Sequence, residues 1–505
     1  MRSSNIGWFV ACVLSAGCGA RSQLDCLGGE CRAFRDGSAE PDEGLGSGGA
    51  SGSRGGPVGV TGMGGRGPSP VEMPIATGGR PTRPPSSAPN EGSVPPPTVT
   101  PRAFRCSAGG SLAGSVEITS RAELESLEGC ERIDGDLTIH SLATPNLSPL
   151  SRLRVVTGTL SLNMSGSLEG LEALESVNNL ILEWLDVTTL EPLGSLTSIG
   201  NASGTDSGVL FINNSSLRDL TGLGSIQRVN HIGLSDNVRL QTLSGLGVPR
   251  HVNEIRLNGN TSLRDISALS PLTSFEVLEL TDAAVVSLRG LENVTRASSL
   301  VLVDDPVLTD TSGLENLGAL QVLFIENVGL TNVAGLSNLR QVKNVVIQGN
   351  PVLAELDGLA QLQLLEELSV SDNPNLSHLP EIAAVTVLQQ ISVTSNARLE
   401  TGPRFPGVVT ANFVTITQNP QLTEVLGFAA LRDTRSVDIS RNDSLLAVNL
   451  GSLTAALTLR IVCNSSLPEA SLAPLLELDF GSANIHGNLG SPVPCSPTEQ
   501  TLEAR

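Results

Sequence analysis

One short pattern recurs along most of this 505-residue chain and constrains its fold more than any other feature. An apolar-x-apolar element begins at sixteen positions: Leu137, Leu160, Leu180, Leu210, Ile232, Ile255, Leu278, Leu300, Leu323, Val345, Leu368, Ile391, Val414, Val437, Leu459 and Leu478. Most of the gaps between these positions are 22 or 23 residues, with a looser rhythm at the two ends. A fixed period of this size is typical of a solenoid, in which each coil packs only against its neighbours.

The composition suits such a stack of coils. Hydrophobic residues make up 39% of the chain, but aromatic residues only 2%, and tyrosine is absent, so the core must consist chiefly of Leu, Val and Ile. A single coil cannot bury its own leucines, whereas stacked coils enclose a continuous aliphatic interior. We therefore predict a parallel-β solenoid of about sixteen coils over residues 102–495, rather than the three domains that the length alone would allow.

A second regularity is an asparagine three residues after the second apolar position of the strand. It occurs in eight coils, at Asn237, Asn260, Asn350, Asn373, Asn396, Asn419, Asn442 and Asn464. Stacked side-chain amides can donate to and accept from the turn backbone that leaves each strand, so we predict a structural asparagine ladder. The alternative is calcium binding at runs such as Asp372-Asn373 or Asp304-Asp305, but these lack a converging set of ligands. We predict no metal site and no cofactor.

The repeat resembles leucine-rich repeats of the short, 22-residue kind found in bacterial internalins. The segment that leads into it is similar to the opening of receptor L domains: Cys106, Val116-Glu117-Ile118-Thr119-Ser120, Leu124, Leu127, Glu128-Gly129-Cys130, Ile133 and Gly135-Asp136-Leu137-Thr138-Ile139. The resemblance covers residues 106–495. It implies a solenoid fold, and it leaves the partner open because both families bind many different ones.

The cysteines fit an exported protein with disulfide bonds. Of the eight, Cys12 lies in a segment that export would remove and Cys18 is a candidate for lipidation, which leaves six. Their positions suggest the pairs Cys26 with Cys31, Cys106 with Cys130, and Cys463 with Cys495, although fifteen connectivities are possible on paper. The family resemblance implies that the second and third pairs lock the caps that solenoid ends require.

The first 18 residues read as an export signal, with a basic start, an apolar stretch and small residues before Cys18. Leu14-Ser15-Ala16-Gly17-Cys18 resembles a bacterial lipobox, except that the leucine lies one place further from the cysteine than usual. Lipidation of Cys18 would hold the protein on a membrane, and Gly19 suggests the outer membrane or cell surface of a Gram-negative bacterium. Ordinary cleavage after Ala20 and a retained anchor are the alternatives.

Three further segments flank or precede the solenoid. Residues 19–35 form a short cysteine-containing segment, residues 36–101 a Gly/Pro/Ser-rich linker predicted to be disordered, and residues 496–505 a polar tail. The net charge of −20 lies within residues 102–505. The acidity of this region excludes a protein that binds nucleic acids without sequence preference, because such binding needs a basic surface.

The function suggested by the sequence is recognition rather than catalysis. The five histidines are scattered and no catalytic motif is present, so we predict no enzyme and no small-molecule substrate. The residue between the two inward positions of each strand should point outwards. On three consecutive strands these residues are Val301, Phe324 and Val346, which should form one exposed apolar stripe and tolerate a change such as Phe324→Asp without loss of folding.

The candidate binding face also includes charged residues beside this stripe, namely Arg256, Glu279 and Glu326. An equally good interpretation is that β-branched and aromatic residues simply suit a sheet surface. The register at Phe211 is less secure because extra residues interrupt its coil, so that Phe211 could face inwards.

We expect a surface-tethered lipoprotein that recognises a protein or glycan. The alternative is a structural component of the cell envelope without a discrete ligand.

Overall fold

The computed structural model describes residues 104–143, 146–200, 207–213, 216–476, 480–491 and 495. They belong to one compact unit, Val94–Arg505. The predicted signal peptide, the segment 19–35, the linker 36–101 and the tail 496–505 lie outside the described residues, as do Cys18, Cys26 and Cys31.

The described residues form a parallel-β solenoid of the leucine-rich-repeat type, as predicted. Its strands are β1 Ser111–Ala113, β2 Val116–Ile118, β3 Arg132–Asp134, β4 Leu137–Ala143, β5 Val155–Ser165, β6 Ser176–Glu183, β7 Ser198–Ile199, β8 Val209–Asn213, β9 His231–Ser235, β10 His251–Asn258, β11 Ser274–Thr281, β12 Arg296–Val303, β13 Val322–Glu326, β14 Asn344–Gln348, β15 Glu367–Ser371, β16 Val387–Thr394, β17 Thr410–Thr417, β18 Glu424–Val425, β19 Asp433–Ser440, β20 Ala447–Val448, β21 Ala455–Val462 and β22 Phe480–His486. Within this part of the chain, all but β18 and β20 belong to one 20-stranded sheet.

The register of the strands follows the apolar repeat. Each predicted first position from Leu137 to Leu459 pairs with the next one along the chain, and each of these side chains is buried. An earlier strand, β2, adds Val116 opposite Leu137.

The last predicted position, Leu478, lies outside the described residues, and the register shows that it is not the partner of Leu459. Ala483 pairs with Leu459 instead, because the final coil has 24 residues, close to the usual 22 or 23, whereas the predicted position implied only 19. Ala483 is exposed, so the burial that imposes leucine on the inner coils does not act at this position.

Short helical turns and irregular backbone complete the coils. The α-helices among the described residues are α1 Arg121–Glu125 and α2 Ala473–Leu476, and the 3-10 helices are Ser148–Leu150, Glu191–Leu193, Ser267–Leu269, Ala334–Leu336, Asp357–Leu359 and Glu469–Leu472. Helix α1 begins with a capping box in which Ser120 and Glu123 satisfy each other's backbone amides. No helix in the described ranges is both long and apolar enough to cross a membrane.

The core is almost entirely aliphatic, as the composition predicts. It consists of Leu, Ile and Val from the strands and from the arcs between them, nearly all of them fully buried. Two of the exceptions are Phe405 and Phe428 on adjacent coils, whose rings stack with centroids 6.1 Å apart. Since each coil buries its neighbour's apolar atoms, no single coil is stable without its neighbours.

Both ends of the solenoid carry a disulfide bond, in the pairing that the family resemblance implies. Cys106 is bonded to Cys130 at the N-terminal end, with a Cα–Cα distance of 5.6 Å. Cys463 is bonded to Cys495 at the C-terminal end, with a Cα–Cα distance of 5.5 Å.

A left-handed residue ends most strands and turns the chain into the next arc. Among the described residues, those other than glycine that occupy this place have φ between 50° and 60°, and they are Trp184, Asp236, Asp282, Asp304, Asn327, Asp372, Ser395, Gln418, Arg441 and Cys463. In three coils the residue is a glycine, namely Gly259, Gly349 or Gly487. The next residue along the chain occupies the position of the predicted asparagine ladder, and the left-handed backbone turns its side chain towards the interior beneath the turn.

The asparagine ladder is present in the structure. All eight predicted asparagines are at most 1% exposed. Asn396 illustrates their bonding: its Nδ2 donates to the carbonyls of Val370 (3.0 Å) and Thr394 (2.9 Å), and its Oδ1 accepts from the backbone amide of Asn373 (3.1 Å). Asn488 is a further member, which the misplaced last strand concealed, since its Oδ1 accepts from the amide of Asn464 at 3.1 Å. The ladder thus satisfies turn groups that would otherwise be buried without a partner.

Candidate binding face

The outward-pointing residues of the strands form the surface that we call the sheet face. In register order its central row is Glu117, Thr138, Ser161, Ile181, Phe211, Gly233, Arg256, Glu279, Val301, Phe324, Val346, Ser369, Ser392, Thr415, Asp438, Arg460 and Asn484. Such a row is rigid because its strands are hydrogen-bonded on both sides.

The predicted apolar stripe lies on this row, but it is not exposed. Val301 is 4% exposed and Phe324 is 5% exposed, while Val346 is only half-buried. Parallel strands stand about 4.8 Å apart, so large side chains on consecutive strands cover one another. Ser299 and Val303, two residues to either side of Val301, are buried as well. The expectation that Val301 and Phe324 are exposed was therefore wrong, because neighbouring side chains of the sheet cover both of them.

On the central row, an aromatic ring more accessible than that of Phe324 is that of Phe211 on β8, five strands earlier. The structure resolves its register: Phe211 pairs between Ile181 and Gly233 and points outwards, half-buried. A Cβ atom at Gly233 would lie 2.9 Å from Cδ2 of Phe211. The ring therefore lies over a place that only glycine leaves free. Together with half-buried Ile181 it forms an apolar shelf, which the sequence pattern alone did not single out.

An ionic cluster borders this shelf. Glu254 contacts Arg256 on its own strand and His231 on the preceding one, with 3.3 Å between His231 Nδ1 and the carboxylate. Arg256 Nε lies 3.4 Å from Glu279 on the following strand. The hydrogen bond with His231 and the charge of Arg256 hold the pKa of Glu254 below its usual range. Arg256 remains half-exposed, so the cluster is charged and accessible.

Glu326, the last of the predicted face residues, behaves differently. It is half-buried at the end of β13, and burial together with the nearby charge of Asp304 raises its pKa, against a hydrogen bond with Gln348. It lies two residues after Phe324 on the same strand and pairs with Val303. The charged residues Arg256 and Glu279 therefore lie beside the shelf, whereas Glu326 lies apart from it.

The histidines are distributed over the solenoid rather than gathered. His140 contacts Glu117 at 2.7 Å, His251 contacts Ser274 at 2.9 Å, and His378 contacts Asp357 at 3.1 Å. Within the described residues one surface group, Glu355, Asp357 and His378, brings three potential metal-ligand atoms within 4.8 Å of one another. The hydrogen bonds of His378 to Asp357 and Ser377 account for that arrangement without an ion.

Comparisons with known proteins give a likeness in structure only. No protein-family profile matches the chain. No curated protein matches it by sequence either. Among solved structures, an internalin from Listeria monocytogenes is 17% identical, with 74% of this chain and 86% of that chain covered and a TM-score of 0.32.

Two further solved structures are similar to the same degree. A leucine-rich-repeat protein from Leptospira interrogans is 17% identical, with 67% of this chain and 92% of that chain covered and a TM-score of 0.29. The functional domain of InlJ from Listeria monocytogenes is 15% identical, with 66% and 74% covered and a TM-score of 0.30. At this level of identity the likeness concerns the fold alone, and the strand register and side-chain contacts of this chain define its candidate binding face.

Proposed function

We propose that this protein is a non-enzymatic recognition protein that binds a protein partner through its sheet face. The observation that carries this proposal is the half-buried ring of Phe211 lying over Gly233, beside the accessible cluster of Glu254, Arg256 and Glu279. Protein interfaces typically combine an apolar or aromatic centre with a polar rim, and Phe, Tyr, Trp and Arg are enriched in them.

The rigidity of the surface supports the same proposal. Strands β6 to β11 hold Ile181, Phe211 and Arg256 in fixed register. A partner therefore meets side chains that need little further ordering, which lowers the entropic cost of binding. The negative net charge of the chain favours a partner with a basic contact surface.

The experiment compares two phenylalanines on the same sheet. Phe211→Ala removes the proposed anchor, and Phe413→Ala, at a 44% exposed ring on β17, serves as the matched control. We expect Phe211→Ala to weaken partner binding by about 2 kcal/mol, or roughly 30-fold, and Phe413→Ala to leave it unchanged. Binding is measured with the mature chain on partners captured from the surface fraction of the producing cells, after circular dichroism has shown both variants to be folded.

Three results would count against this proposal. Equal binding by both variants would remove Phe211 from the interface. Failure of the unaltered chain to retain any partner would favour the structural role in the cell envelope. If the retained material survives protease but is destroyed by periodate, the partner is a glycan instead of a protein.

We further propose that the solenoid is displayed from a membrane, with an L-domain-like entry cap, a lipid on Cys18 and residues 36–101 as a flexible tether. This rests on the sequence signals, namely the apolar leader, the lipobox-like run before Cys18 and the Gly/Pro/Ser-rich composition of the linker. Outer-membrane or cell-surface sorting follows from Gly19.

The tether has its own test. Cys18→Ser should move the protein from the membrane fraction to the soluble fraction, because a serine cannot take the thioether-linked lipid. Cys12→Ser lies in the leader that processing removes, so it should leave the partitioning as it is. Partitioning of Cys18→Ser that matches that of Cys12→Ser would contradict lipidation, whatever the sheet face binds.

A further inference from the structure

The asparagine ladder is interrupted in the middle of the solenoid. In three consecutive coils the ladder position holds Ala283, Asp305 and Val328 instead of asparagine. Asp305 is 0% exposed, and neither of its carboxyl oxygens has a hydrogen-bond partner within normal geometry. A buried carboxyl group without partners costs free energy, so its presence in an otherwise apolar gap calls for an explanation.

The neighbouring ladder members show what this position demands. Asn260 Nδ2 donates to the carbonyl of Leu234 on the preceding coil (2.8 Å) and to that of Asn258 on its own coil (3.2 Å). By register, the equivalent acceptors for residue 305 are the carbonyls of Leu280 and Val303. An ionised carboxylate can only accept hydrogen bonds, whereas a protonated carboxyl group also donates one. Only the protonated form can therefore reproduce the donor of an asparagine.

The surroundings of Asp305 also disfavour its charge. Burial, and to a smaller extent the carboxylate of Asp282 on the preceding coil, raise the pKa of Asp305 to about 7. The backbone amides of Val285, Val307 and Leu308 are near enough to lower it, although none meets the geometry of a normal hydrogen bond to the carboxyl oxygens. The other charged groups nearby in register are Asp304 on the same coil and Glu326 on the next, and both are acidic. No cationic side chain is among the groups that shift this pKa.

We propose that Asp305 acts as a proton-dependent member of the ladder, which joins the middle coils when it is protonated and loosens them when it is ionised. Between about pH 4 and about pH 7 the folded protein then holds a proton that the unfolded chain, with an ordinary aspartate, has released. Stability from this group is fully present below the unfolded pKa of about 4 and is lost as the pH rises towards about 7. At higher pH the stabilisation from Asp305 is absent, and its contribution to the free energy of unfolding no longer changes with pH.

The test compares the full chain with Asp305→Asn, which supplies the asparagine donor at every pH. Urea unfolding is measured from pH 4 to pH 9. The ratio of the two unfolding constants should change about tenfold per pH unit between pH 4 and about pH 7 and be flat above, with the unaltered chain relatively more stable at low pH. Asp310→Asn is the control, because the pKa of Asp310 is lowered by Ser312 and its contribution falls outside this window.

A second variant and a local readout separate the ladder role from simple desolvation. Asp305→Ala removes the charge without supplying a donor, so it should abolish the pH dependence but leave the protein less stable than Asp305→Asn. The amides of Leu308 and Gly329, which donate to the Asp305 carbonyl, should exchange with solvent faster at pH 8 in the unaltered chain than in Asp305→Asn after correction for intrinsic rates. An identical pH slope in the chain and in Asp305→Asn, or equal stability of the two variants, would overturn the proposal.

Discussion

Replacement of Asn396 by alanine is expected to destabilise the solenoid by about 3 to 5 kcal/mol. The side chain is fully buried in the uninterrupted part of the ladder, between Asn373 and Asn419. Its loss leaves the backbone amide of Asn373 and the carbonyl of Val370 without this partner, in a place that water does not reach. The measurement is the free energy of unfolding in urea at fixed pH.

Asn338→Ala provides the matched control for this prediction. Asn338 also donates across coils, to the carbonyl of Glu315 at 2.7 Å, but it is exposed. Water can replace this bond, so the expected loss is within about 0.5 kcal/mol. Similar decreases in the free energy of unfolding for the two variants would mean that the ladder hydrogen bonds stabilise the protein no more than a surface hydrogen bond does.

Replacement of Phe324 by aspartate is expected to cost about 4 kcal/mol or more, in contrast to the tolerance expected from the sequence. The ring is 5% exposed between Val301 and Val346, so the change removes a large buried apolar group and puts a charge in its place. A lowered unfolding midpoint in urea, or failure of the variant to accumulate as a folded protein, would agree with this expectation.

Ser392→Asp is the control on the same row. Ser392 is half-buried on β16, between Ser369 and Thr415, where an added carboxylate can reach water. We expect a change within about 0.5 kcal/mol. If Phe324→Asp is as stable as Ser392→Asp, the row is open at Phe324 and the sequence-based expectation of an exposed stripe was right after all.

The fold could be predicted from the sequence because one physical constraint is repeated in every coil. Burial on the inner side of each strand requires an apolar residue, and this requirement marks each first strand position from Leu137 to Leu459. The ladder was predictable for the same reason where it is continuous, since at each turn from Asn350 to Asn464 an asparagine amide satisfies the turn backbone. At the last coil this constraint relaxes, and the strand beginning at Phe480 was therefore misplaced.

The sheet face was harder to predict because exposure there depends on neighbours along the stack. Val301 and Phe324 point outwards as expected, but each is covered by the residues beside it. Phe211 is accessible partly because its neighbour on the next strand is Gly233, which has no side chain to cover the ring. These are relations between residues 22 or 23 positions apart, and the residue types within a single coil do not reveal them.

The left-handed residue before the ladder position has a consequence for how such a chain can change in length. Its side chain differs from coil to coil, from aspartate to arginine and cysteine, although the backbone angle stays between 50° and 60°. The stacked neighbours, more than the local residue, therefore set the shape of each turn. A whole coil can be gained or lost between two equivalent turns without a new kind of interior contact, whereas a gain of a few residues disturbs every rung it touches. The length of such a solenoid therefore changes in steps of one coil, by duplication or deletion of entire repeats.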